Sequence, residues 1–236
     1  MNRIAIFVEG QTEQVFAERL LKEVAGEKHV RIEKRKFCGG GRRQKRRMIL
    51  LEASAPASGQ KYFAMIVDCG EDERVKSDIR DRYDGLVKTG YQAIIGIRDV
   101  YPQGRDDIPR LRGGLGYGMK TQPIRVLFVI AIMEIEAWFI AEHTHFLRLS
   151  PILTTDRIKR QMGFDPSRDD VQLRDHPAND LHSIYQLAGH VYDKSKMNVQ
   201  RTVDLLDYAA IYFDLGQKVP DLQRLTDHID QFLSNA

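Results

Sequence analysis

Cysteine is scarce in this sequence: the 236 residues hold two, Cys38 and Cys69. Their spacing matches neither a paired zinc motif nor a disulfide framework. That excludes a small disulfide-built secreted fold and makes a reducing cytoplasm the expected setting. Long apolar runs are missing as well. The longest, Val126–Met133, falls far short of the roughly 20 residues that a membrane span needs. The opening run Ile4–Val8 meets the carboxylate of Glu9 at once. It has neither the apolar length nor the cleavage site expected of a secretory leader. No Gly-Lys-Ser/Thr triplet is present, so a phosphate loop for ATP hydrolysis is not expected. Internal repeats, heptad arrays and low-complexity tails are absent too.

What is there suits an ordinary globular chain, 42% apolar and 29% charged. The length fits one large domain, or one domain with a helical appendage. Such a chain buries about 70–75% of its unfolded surface and needs no structural metal to hold a core. The formal net charge of +3 is a cancellation. Residues 1–149 carry 26 Lys+Arg against 20 Asp+Glu, whereas residues 150–236 carry 10 against 13, every acid being Asp. A basic half beside an acidic one points to a polyanionic partner for the first.

Apolar periodicity organises the first 140 residues into alternating strands and helices. Strands are expected at Ile4–Val8, Val30–Phe37, Tyr62–Val67, Gln92–Ile97 and Arg125–Ile132. Helices are expected at Thr12–Val24, Arg42–Leu51, Val75–Val87 and Glu134–Phe146, with Tyr101–Gly118 a long Gly- and Pro-rich loop that has room for one turn of helix. That order predicts an α/β fold with a mainly parallel sheet covered by helices. From Pro151 onward only helical segments are legible, which predicts a C-terminal α-helical subdomain and a division into residues 1–148 and 149–236.

In an open parallel sheet, chemistry gathers at the carboxyl ends of the strands. Four of the five expected strands end in an acid: Glu9, Asp68, Asp99 and Glu134, with Glu136 two residues later. Clustered carboxylates repel one another unless a cation sits among them, and oxygen-only ligands suit Mg²⁺ or Mn²⁺ rather than zinc. Any one of these acids can equally serve as a helix cap or a solvated turn residue. Lys28–Arg47 holds ten basic residues against the single acid Glu33 and surrounds the glycine run Gly39–Gly41. Arg42, Arg43, Lys45, Arg46 and Arg47 are the candidates to seat a phosphate backbone, and a solvated charged face is the alternative. Trp138 reads as core. The histidines show no zinc spacing. Tyr192–Lys196 forms a polar, turn-rich patch in which Lys194 and Lys196 either contact phosphate or serve a helix connection.

The stretch Ile4-Ala-Ile-Phe-Val-Glu9-Gly-Gln-Thr-Glu13 resembles the opening strand and turn of TOPRIM domains, especially those of OLD-type nucleases with their Glu-Gly-x-Thr-Glu signature. The glycine run after the second strand and a strand ending in Asp68 fall in the order of that family. Glu134-Ile-Glu136-Ala-Trp138 further resembles the Glu-x-Trp helix of small TOPRIM-like bacterial proteins, often encoded beside an ABC-type ATPase in phage-defence operons and many still classed as domains of unknown function. The resemblance covers roughly residues 1–145. It implies Mg²⁺- or Mn²⁺-dependent phosphodiester chemistry on DNA or RNA. Glu9 would be the general acid/base or a metal ligand, Glu13 its neighbour, and Asp68 the first acid of an Asp-x-Asp motif. Gly70 stands where the second Asp belongs, leaving Glu71, Asp72 or Glu136 as substitute ligands. A hydrolytic nuclease component is thus the first expectation, and a non-catalytic adaptor binding nucleic acid or an ATPase is the alternative.

Overall fold

The computed structural model describes residues 1–26, 28–39, 46–56, 59–70 and 73–234. It has an α/β fold. The strands are β1 (Asn2–Val8), β2 (Val30–Cys38), β3 (Arg47–Ala53), β4 (Tyr62–Asp68), β5 (Tyr91–Asp99) and β6 (Val126–Ala131). They form one six-stranded sheet of order β3-β2-β4-β1-β5-β6. Among the described residues there are ten α-helices. The first four are α1 (Gln11–Ala25), α2 (Arg74–Lys88), α3 (Ile108–Gly116) and α4 (Glu136–Ala141). The next three are α5 (His145–Leu149), α6 (Thr155–Met162) and α7 (Pro177–Gln186). The last three are α8 (Lys196–Leu205), α9 (Tyr208–Phe213) and α10 (Pro220–Ser234). None is long and apolar enough to cross a membrane.

The sheet is mostly parallel: β4 pairs in parallel with β1 and β2, and β1 in parallel with β5. Every residue of β4 is buried, as is every residue of β1 from Ile4 to Val8. Strands covered on both faces read as unbroken apolar runs rather than alternating ones, and both segments do.

The basic segment departs from expectation. Residues 47–53 are not the end of a helix but the edge strand β3, antiparallel to β2. The pairing Phe37↔Met48 and Lys36↔Ile49 continues to Lys34↔Glu52, where an ion pair of 2.8 Å closes the register. Cross-strand partners on β2 decide the matter over local helix propensity. Two smaller differences follow. The helix within the expected loop at 101–118 is α3, nine residues rather than a single turn, and the expected helix at 134–146 is broken into α4 and α5 at Glu142.

The chain forms two compact units, each discontinuous in sequence: Met1–Arg98 with Pro109–Val129 and Asp227–Ala236, and Asp99–Ile108 with Ile130–Thr226. In the first unit, α2 lays Val75, Ile79 and Tyr83 into a core with Phe7, Phe37 and Met65. The Tyr83 hydroxyl donates to the Ile124 carbonyl at 2.6 Å and accepts from the Ile124 N–H at 2.9 Å. Gly96 is fixed by space: a Cβ there would sit 2.8 Å from two ring carbons of Phe128 and 2.9 Å from Ile79 Cδ1. In the second unit, Trp138 and Tyr185 are fully buried, with the Phe146 and Tyr185 rings edge to face at 6.3 Å. Thr154 and Asp207 cap α6 and α9 through their side-chain oxygens.

Candidate functional site

In the first unit, the register Val8↔Asp68 aligns the carboxyl ends of β1 and β4, and the Cys69 N–H donates to the Val8 carbonyl at 2.8 Å. Glu9, the next residue of its chain segment, therefore lies beside the Asp68–Cys69 turn on the neighbouring strand. Glu13 sits on the first turn of α1, where its Oε2 accepts from the Gly10 N–H at 2.9 Å. That is the reciprocal bond of a capping box, so the Glu-Gly-x-Thr-Glu turn is first of all a helix start. Gln14 follows it and donates to the carbonyls of Arg35 and Ile66, at 2.8 and 3.0 Å, stitching the turn to β2 and β4. Nothing in the sequence pattern singles out that glutamine.

Asp68 is 2% exposed, and both of its oxygens are engaged. Oδ2 pairs with the Lys36 ammonium at 2.8 Å, from the residue directly opposite on β2. Oδ1 accepts from the Gly70 N–H at 2.7 Å. Gly70 adopts φ +76, a left-handed conformation that glycine enters without strain and side chains rarely adopt. The glycine at the second position of the Asp-x-Asp motif thus has a backbone reason. Cys69 is fully buried, and burial, reinforced by Asp78, pushes its thiol pKa far up, so it offers no thiolate.

Most of the described cations of the basic segment meet acids, largely drawn from other elements. Lys34 bridges Glu18 and Glu52 at 2.6 and 2.8 Å. Arg31 and Arg35 grip the two oxygens of Glu33 at 3.1 and 2.6 Å. Arg46 donates to Asp78 Oδ2 and to the Cys69 carbonyl, both at 2.6 Å, with its guanidinium 4.7 Å from the Phe37 ring centre. Arg47, at the start of the edge strand, is exposed. Arg42, Arg43, Lys45, Glu71 and Asp72 lie outside the described residues.

The second unit gathers a different acidic group, from Asp99, Glu134 and Glu136. Glu134 Oε2 accepts from the Ala178 N–H at 2.9 Å, capping α7 from 44 residues away, and its Oε1 accepts from Lys194 Nζ at 3.1 Å. Glu136 is completely buried. Its Oε1 accepts from the Tyr192 hydroxyl at 2.7 Å and lies 3.6 Å from Lys194 Nζ, whereas Oε2 has no hydrogen-bond partner among the described residues. Burial raises the Glu136 pKa. Lys194 and Tyr192 pull it back only in part, and Glu134 adds to the rise. Burial works against the Lys194 charge, but Glu136, Glu134 and Asp99 outweigh it and hold the ammonium above its usual pKa. Met133, just before this group, takes φ 63, a left-handed backbone rare for non-glycine residues.

One buried pair was not anticipated. Glu142, 1% exposed, accepts from the N–H and hydroxyl of Thr144 and from the Asp207 N–H. Burial raises its pKa, yet these bonds and neighbouring His145 hold it below the usual value. Spacing alone could not reveal it, since Asp207 is 65 residues away.

These donor sets can be weighed against a metal. Among the described residues, no three His, Cys, Asp or Glu side chains are grouped to hold one. Asp68 is taken by Lys36 and Gly70, Glu13 by Gly10, and Glu134 by Ala178 and Lys194. The described side chains therefore do not fit Mg²⁺ or Mn²⁺, which require several oxygen ligands in near-octahedral array. Comparison with protein-family models, with curated proteins and with solved structures yields no match to this chain.

Proposed function

We propose that this chain is a TOPRIM-like nucleic-acid-binding component that acts without cutting, in a bacterial phage-defence setting with an ABC-type ATPase as partner. The observation that carries the reading is the Lys36 ammonium on Asp68 Oδ2 at 2.8 Å, beside a Gly70 whose φ of +76 suits glycine. An internal cation stands against the carboxylate that the motif would offer to a metal. Binding is supported by Arg47, which is exposed and has no acid partner among the described residues, whereas Lys34, Arg35, Lys36 and Arg46 are already paired. Contacts of this kind make affinity fall steeply with salt through counterion release.

A second reading, a Mg²⁺- or Mn²⁺-dependent nuclease, has one observation in its favour: Glu9 and Asp68 stand at the aligned carboxyl ends of neighbouring strands. One pair of experiments separates the two. Fluorescence anisotropy with labelled DNA and RNA at about 50 and 200 mM salt is expected to show salt-dependent binding by at least one of them. Plasmid nicking and RNA cleavage with Mg²⁺ or Mn²⁺, with and without the ATPase, are expected to show no activity. Cleavage by wild type that Glu9→Ala or Asp68→Asn abolishes would overturn the binding-only reading and establish the nuclease. Absence of salt-sensitive binding to either nucleic acid would overturn both.

A further inference from the structure

Away from the carboxyl-end acids, a half-open groove of about 340 Å³ lies within the first unit, at the start of β5 and just before β6. Gln92 of β5, Arg125 ahead of β6, and His228 and Gln231 of α10 supply its polar lining, while Ile124 and Phe232 supply apolar wall. No carboxylate lines it. Volume and mixture both fall in the range of small-molecule sites, which combine an apolar body with a few convergent polar groups.

The state of those polar groups is the second observation. The cations of β2 and the chain ahead of β3 are matched by acids, as Lys34, Arg35, Lys36 and Arg46 show. The exposed side chains of Arg125, Gln92 and Gln231 have no ion-pair or hydrogen-bond partner among the described residues. His228 Nε2 is buried and has no hydrogen-bond partner either. The Phe232 ring is fixed by edge-to-face packing on Tyr62 at 5.6 Å, and the Tyr62 hydroxyl donates to the Leu233 carbonyl at 2.6 Å. The apolar wall is therefore held in place before any ligand arrives.

We propose that this groove binds a small organic anion in which a phosphate or carboxylate is carried on a flat ring. Arg125 and the His228 imidazole receive the anionic group, the ring lies on Phe232 and Ile124, and the amides of Gln92 and Gln231 bond to its polar edge. A guanidinium presents paired N–H groups that match either anion. An amide both donates and accepts, which suits a heterocycle. Burial holds the His228 pKa below its ordinary value, so at neutral pH the ring is uncharged and its tautomer can put an N–H toward the anion. The site is independent of the function proposed above, since none of its residues belongs to the Glu9–Asp68 turn or the basic segment.

Isothermal titration of the full chain with AMP, benzoate, adenosine and inorganic phosphate tests it. The AMP and benzoate arms distinguish a phosphate from a carboxylate ligand. One of the two is expected to bind one to one and at least about tenfold more tightly than adenosine and phosphate, a difference of about 1.4 kcal/mol. Arg125→Gln, on an exposed side chain, should weaken that binding about tenfold or more with an unchanged melting temperature, and His228→Gln likewise. Arg80→Gln, which removes an exposed charge on α2, should leave it intact. The proposal is overturned if neither AMP nor benzoate binds, if adenosine or phosphate alone binds as well as they do, if Arg125→Gln binds like wild type, or if Arg80→Gln weakens binding equally.

Discussion

Replacing Glu136 with glutamine asks whether the protein carries a buried carboxylate that prefers its proton. The side chain is 0% exposed, one oxygen accepts from Tyr192, and the other has no hydrogen-bond partner among the described residues. Burial pushes the pKa above 4.5, while the Lys194 charge at 3.6 Å and the Tyr192 hydroxyl pull it back less. The folded chain then holds this proton more tightly than the unfolded chain. Stability is therefore fully present below about pH 4.5 and declines as pH rises toward the folded pKa, by at most about 1.4 kcal/mol per pH unit for a single proton. Leaving one buried acceptor oxygen without a donor costs about 1–3 kcal/mol, which sets the scale of the whole decline. Lys194 stays charged across this range, because Glu136, Glu134 and Asp99 hold its pKa up against burial. Glutamine keeps the shape, can still accept from Tyr192, and does not titrate. Urea unfolding of wild type and Glu136→Gln at half-unit steps from about pH 4.5 to 8 should show the wild type losing about 1–3 kcal/mol relative to the variant. A difference that stays flat over that range would refute the argument, and one that grows in favour of wild type would reverse its sign.

Lys36→Ala should destabilise the chain by about 1–2 kcal/mol in the same assay, because it strips the cation from a buried carboxylate; the figure stays modest because the Lys36 side chain is 42% exposed. Stability equal to wild type would show that Asp68 does not need the pair. Gly96→Ala should cost about 1–3 kcal/mol through overpacking, since its Cβ would lie 2.8 Å from the Phe128 ring carbons. Thermal melting checks this, and an unchanged midpoint would mean that Phe128 and Ile79 give way freely.

The strands that build the sheet's centre were legible because burial on both faces turns them into apolar runs, as at Ile4–Val8 and Tyr62–Val67. Residues 47–53 were not, because a short segment with Met48, Ile49, Leu50 and Leu51 in a row has no decisive period. It becomes a strand only through partners on β2. The acids at strand ends were legible by position alone. What each does depends on donors that spacing cannot show: Ala178 for Glu134, Tyr192 for Glu136 and Lys36 for Asp68. Glu13 differs in having a local donor, the Gly10 N–H three residues before it, although the motif resemblance sets it beside Glu9 as a site residue.

Charge reads differently once partners are known. Ten cations against one acid in Lys28–Arg47 suggests an open electrostatic face, yet the fold brings Glu18, Glu52, Asp68 and Asp78 to Lys34, Lys36 and Arg46. Local sequence counts only the acids nearby in the chain, whereas a parallel sheet supplies them from strands and helices tens of residues away. A pair that is satisfied internally has less to gain from a phosphate, because binding must first break a contact already made. The cations best placed to recruit an anion are therefore those the fold leaves unmatched, and Arg125, isolated in sequence and inconspicuous by composition, is one of them. A dense basic run marks where charge accumulates along the chain, but only the cations that the fold leaves without an acid can meet an anion without first breaking a contact.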